Sequence, residues 1–155
     1  MTFRLKIAFS LYILISIAAI ASGLLYLLSS QIMPYHQQVI GRSWNDLDHR
    51  LQMMLLGFLR LGGLGMVSTG VSIGVLTLFP FRRGQKWAIR AIPLIGLIFY
   101  APIAYGARAL HYSTQASTPW KGVAIMSAIL IAAYLLTIKS AKGTDPRGAG
   151  REERV

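Results

Sequence analysis

Apolar residues run in four long stretches, from Ile7 to Leu28, Leu51 to Leu78, Trp87 to Ala107 and Gly122 to Ile138, with short polar segments between them. Crossing the hydrocarbon core of a bilayer takes about 20 residues of helix, and each stretch is of that order. The pattern predicts an all-α four-helix transmembrane bundle over residues 1–138. Residues 139–155 turn to Gly, Pro and charge, which predicts a disordered basic tail.

The punctuation between the stretches refines the picture. Pro34 blocks continuation of the first helix, so Met33-Pro34-Tyr35-His36 begins a polar loop. Ser43 followed by Asp46 fits a capping box, with Ser43 as N-cap of the second helix and Trp44 at the interface. That helix is expected to run to Phe79, where Pro80 stops it, and it is too long for a bilayer unless it tilts or projects. It is rich in glycine, and Gly70-Val71-Ser72-Ile73-Gly74 is a G-x-x-x-G motif. Gly62, Gly70 and Gly74 are therefore expected to let another helix approach closely. Pro93 and Pro102 inside the third stretch each remove a backbone hydrogen bond, and the kinks they cause would open space beside the neighbouring helices. Thr118 and Pro119 look like the N-cap and first residue of the fourth helix.

Composition agrees with this reading: 54% of residues are hydrophobic and 14% charged, against about 25% charged in soluble domains. The first stretch follows Arg4 and Lys6 and contains Ala19-Ile20-Ala21, as a signal peptide would. Its apolar run is too long for one, and an uncleaved helix is expected. The formal charge is +11, and its distribution points to topology rather than to nucleic acid. Arg4 and Lys6, the Arg82, Arg83, Lys86 and Arg90 group, and the basic tail all fall on one side of the membrane if the spans alternate. Basic flanks stay cytoplasmic, so both termini are expected in the cytoplasm and the loops near 29–50 and 108–120 outside. The Arg82, Arg83, Lys86 and Arg90 cluster would also attract anionic lipid headgroups. With no cysteine, disulfides, thiolate metal sites and cysteine nucleophiles are excluded.

Candidate chemistry is sparse. Arg60 lies inside an apolar stretch, about 15 Å of helical rise beyond Arg50, and no acidic residue lies in any span. It either marks an anion or headgroup site in the outer half of the bundle or snorkels to the interface. His36, His49, His111, Tyr105 and Arg108 share a side by topology, and with Tyr35, Tyr112, Asp46 and Asp48 they are expected to line one external polar vestibule that binds a ligand. The histidines lack metal-ligand spacing, so no metal is expected. No catalytic residue is assigned, because the chain has no nucleophile elbow, no paired intramembrane carboxylates and no phosphate-binding or dinucleotide fingerprint. No cofactor is implied.

Met33-Pro34-Tyr35-His36, Ser43-Trp44, Gly62-Gly63, Pro80-Phe81-Arg82-Arg83-Gly84 with Trp87-Ala88, and Thr118-Pro119-Trp120 together resemble a set of small bacterial four-helix membrane proteins with no established activity. The resemblance covers roughly residues 30–138 and implies a multi-pass protein of the bacterial inner membrane. The expected function is non-enzymatic: an accessory subunit or a binder of lipid or another amphiphile. Its partners would be membrane lipids, and a homo-oligomer or larger membrane complex. A transporter or channel subunit and an enzyme using the external vestibule are the alternatives.

Overall fold

The protein is described by a computed structural model covering residues 2–142, the side chains of 139–142 excepted. Among the described residues it is all-helical, with five α-helices: α1 (Phe3–Leu28), α2 (Pro34–Ile40), α3 (His49–Leu76), α4 (Lys86–Thr114) and α5 (Trp120–Lys142). Four of them, all but α2, are long and apolar enough to cross a membrane, which is the architecture of a multi-pass membrane protein. Three of the four sequence stretches lie inside these helices, and the second, Leu51 to Leu78, runs through α3 into the turn that follows it. The tail expected to be disordered lies, from residue 143 on, outside the described residues.

Three helix ends differ from expectation, each for a local reason. The loop after α1 contains α2, because Pro34 at the first helical position starts a helix instead of merely ending one. This helix closes on Gly41, whose φ of 70° is the left-handed conformation that a glycine accepts without strain. Ser43 does not cap α3. Its hydroxyl donates to the Asp46 carboxylate at 2.8 Å within a single 3₁₀ turn, Trp44–Asp46. Leu47 then lies extended and buried, and Asp48 caps α3 by accepting from the backbone N–H groups of Arg50 and Leu51. Thr118 does not cap α5 either; its hydroxyl donates to the carbonyl of Ala107 at 2.7 Å, and Pro119 lies just before the helix, which starts at Trp120.

Pro80 does not stop the helix before it. It sits inside a π-helical turn, Thr77–Phe81, that continues α3. A proline ring collides with the carbonyl four residues back, and a wider turn relieves the collision. The Thr77 hydroxyl donates to the Ile73 carbonyl at 2.7 Å, and the ring of Phe81 meets that of Tyr12 edge-on at 5.6 Å. The turn is thereby held against α1.

α1 packs along α3, and α5 lies against both α1 and α4. The α1–α3 seam is antiparallel and set by small residues. A Cβ added at Gly23 would come within 2.6 Å of the Gly63 carbonyl, and one added at Gly63 within 2.7 Å of the Gly23 carbonyl. Further along, Gly70 and Gly74 lie against Ser16, whose hydroxyl donates to the Gly70 carbonyl at 2.7 Å. Close backbone approach replaces the hydrophobic drive that lipid removes. Gly62 is not part of this seam: a Cβ there meets nothing within 4 Å, because the helix turns Gly63 and not Gly62 toward α1. The buried core, including Tyr12, Ile15, Ile73, Ile92 and Leu130, fills the half of the molecule near the π turn. The half under α2 is not filled in the same way.

Candidate functional site

Beneath α2 lies a cavity of about 580 Å³. Its roof is α2 with Ile32 before it. Its walls are α3 from Leu55 to Met66, α4 from Phe99 to Leu110, and the start of α5 at Val123; Tyr26 of α1 closes one end. Gly62, Gly65 and Gly106 line it, and the missing side chains at Gly62 and Gly106 leave open space. This is the room beside α4 that the sequence suggested, although α4 is one continuous helix through Pro93 and Pro102.

Glutamines hold the roof in place. The Gln38 side chain accepts from the backbone N–H of Ser117 at 2.8 Å and so joins α2 to the connection between α4 and α5. Gln37 accepts from the N–H of Trp44 at 3.0 Å, and Gln52 of α3 donates to the Trp44 carbonyl at 2.9 Å. α2 is too short to persist alone in water, so these bonds and the burial of Ile32 and Leu47 on either side fix its position.

The lining holds no Lys, Arg, Asp or Glu. Apart from Thr118, whose hydroxyl already donates to the Ala107 carbonyl, its polar side chains gather where α1 meets α2. The hydroxyls of Tyr26 and Tyr35 are hydrogen-bonded to each other. The imidazole of His36 packs near both rings, with the Tyr26 and Tyr35 centroids 6.3 Å and 4.0 Å away, and its Nδ1 is buried without a hydrogen-bonding partner. Desolvation lowers the pKa of His36 from its ordinary 6.5 and so favours the neutral ring. Desolvation also raises the pKa of Tyr35, and the hydrogen bond to Tyr26 adds to the rise, so the phenol keeps its proton.

Of the residues expected to line the vestibule, His36 and Tyr35 line this cavity, and Gly62, expected at a helix contact, lies in its α3 wall. Arg60 is exposed and makes no hydrogen bond, ion pair or ring contact among the described residues; its neighbours Phe58 and Leu61 are exposed as well. His49 and Tyr105 are also exposed. His111 and Arg108 belong to a second group: His111 Nδ1 lies 2.6 Å from the Ala116 carbonyl, and Arg108 stands over the rings of Tyr112 and Trp120 at 5.6 and 5.7 Å. The expected single vestibule is thus replaced by a cavity that takes His36 and a surface cluster that takes Arg108 and His111. No group of three or more His, Asp or Glu suited to a metal occurs among the described residues.

Sequence reasoning missed Tyr26 and the apolar walls. The available signal was the run of glycines: Gly62 and Gly65, three residues apart on α3, open the same face of the helix. Arg82, Arg83, Lys86 and Arg90 are all exposed around the exposed Trp87, at the opposite end of the molecule from α2. No protein-family model matches the chain, and neither a curated protein nor a solved structure matches it.

Proposed function

We propose that this chain is a bacterial inner-membrane protein that binds a lipid or other amphiphile in the cavity under α2 and acts as a binding or accessory component without catalysing a reaction. In this reading the long helices form a four-helix transmembrane bundle with both termini cytoplasmic. The exposed Arg82, Arg83, Lys86 and Arg90 support that orientation, and anionic headgroups would gather around them.

The observation that carries the binding reading is the cavity itself. Its volume of about 580 Å³ falls within the range of small-molecule sites, and its lining is apolar with polar groups at one end. Membrane helices that are free to pack close such spaces with side chains; here Gly62 and Gly106 leave the space open.

Native mass spectrometry of the protein, extracted gently from its own membrane, is the direct test. A retained amphiphile is expected. Gly62→Leu and Gly106→Leu place a side chain where the backbone has room for one, so the fold should survive and the retained molecule should be lost. Gly57→Leu, on α3 but outside the lining, should leave it bound. A wild-type protein that emerges bare, or a Gly62→Leu protein as loaded as the wild type, would overturn the reading.

A further inference from the structure

Three features of the cavity narrow its occupant: size, charge and hydrogen-bonding capacity. At about 580 Å³ the cavity has room for one acyl-length chain or a ring with a short tail.

The charge criterion is sharper. A phosphate or carboxylate head buried in such a place needs a cation or several donors beside it. None of the lining residues is Lys or Arg, and Arg60, the cation nearest in sequence to the α3 wall, is exposed and absent from the lining. A cationic head would need a carboxylate, and the lining has none. The half-buried His36 favours its neutral form, and desolvation keeps Tyr35 protonated, so neither supplies charge.

What the polar end does offer is neutral hydrogen bonding. The Tyr26 and Tyr35 hydroxyls carry two hydrogens between them, and their mutual bond uses one. The other remains to be donated. His36 packs beside this pair, with its Nδ1 buried. From these placements we infer that the cavity takes a single-chain or single-ring neutral lipophile whose hydroxyl or carbonyl oxygen binds at the Tyr26–Tyr35 hydroxyl pair, beside His36. The inference rests on the amphiphile-binding reading above and adds the chemistry of the head.

The test uses the full-length protein in phosphatidylcholine nanodiscs with two photoreactive probes, diazirine-bearing hexadecanol and diazirine-bearing hexadecyl phosphate. Cross-linked peptides are mapped by mass spectrometry. The alcohol is expected to label α3 and α4 around Phe58, Met66 and Phe99, and excess unlabelled hexadecanol should suppress that labelling. The phosphate should label these positions at least about tenfold less. The double variant Tyr35→Phe/His36→Phe, which keeps the aromatic walls, should lower alcohol labelling about tenfold, the effect of losing about 1.4 kcal/mol of hydrogen bonding. Phosphate labelling equal to or above that of the alcohol, or a double variant that binds the alcohol unchanged, would overturn the assignment of a neutral head while leaving amphiphile binding intact. Labelling by neither probe, or labelling that Gly62→Leu leaves unchanged, would remove the binding reading itself.

Discussion

His36 is a polar side chain placed where water does not reach one of its nitrogens. Its folded-state pKa lies below the ordinary 6.5, so the unfolded chain binds a proton more readily than the folded one as the pH falls. Above that value both states are neutral and the histidine has no effect on stability. Below it the folded state loses ground until the folded-state pKa is passed. Tyr26 and Tyr35 are the rings that face it, and no carboxylate in the lining offsets a positive charge. Thermal unfolding in detergent is therefore expected to shift to lower temperature as the pH falls below about 6.5, and His36→Gln should flatten the part of that slope that His36 causes. An equal slope in the variant would show that His36 does not cause it. Arg60 teaches the converse at this scale. Its place in an apolar stretch drew notice in the sequence, but Leu59 beside it is the buried residue, and a helix turns adjacent positions about 100° apart. Sequence alone shows that a charge lies within a span; it does not show which face of the helix carries it.

At the scale of elements, the seam between α1 and α3 is the most constrained contact. Gly63→Leu would push a side chain into the Gly23 carbonyl, where backbone and not a flexible side-chain tip must yield. A loss of about 1–3 kcal/mol is expected, read from unfolding by denaturing detergent in mixed micelles. Ser16→Ala removes one interhelical hydrogen bond, and about 1 kcal/mol or less is expected from the same measurement. The glycine spacing at 70 and 74 was legible as a packing surface. Its partner was not, because Ser16, Ala19 and Gly23 become a matching stripe only once the antiparallel register is known. The caps show a different limit. Ser43 and Asp46 do bond as a capping pair would, but with each other, while Asp48 two residues later has the extended backbone and the free N–H groups that a cap needs. Gln38→Ala should loosen α2 from the α4–α5 connection, and faster amide exchange over Pro34–Ile40 with the long helices unchanged would show it.

For the molecule as a whole, the absence of cysteine makes topology directly testable. Single cysteines at Ser43 and at Arg83 lie at opposite ends of α3 and its π turn. In intact cells a membrane-impermeant maleimide is expected to label Ser43→Cys and spare Arg83→Cys; the reverse pattern would invert the orientation. The four spans were legible because each is a contiguous apolar run, and a contiguous property survives in one dimension. The cavity was not, since its lining is drawn from α1, α2, α3, α4 and α5, and its floor is defined by side chains that glycines lack. Phe58, Leu61 and Leu110, which line the cavity, are also among the exposed apolar residues, at 62%, 64% and 44% exposure. In the proposed transmembrane bundle this apolar mouth would face hydrocarbon. A molecule reaching it would travel through the bilayer, and its occupancy would follow its mole fraction among the lipids rather than its concentration in water. Two ligands of equal fit but unequal solubility would then fill the site in proportion to how strongly each partitions into the membrane, so the lipid phase itself acts as the first step of selection.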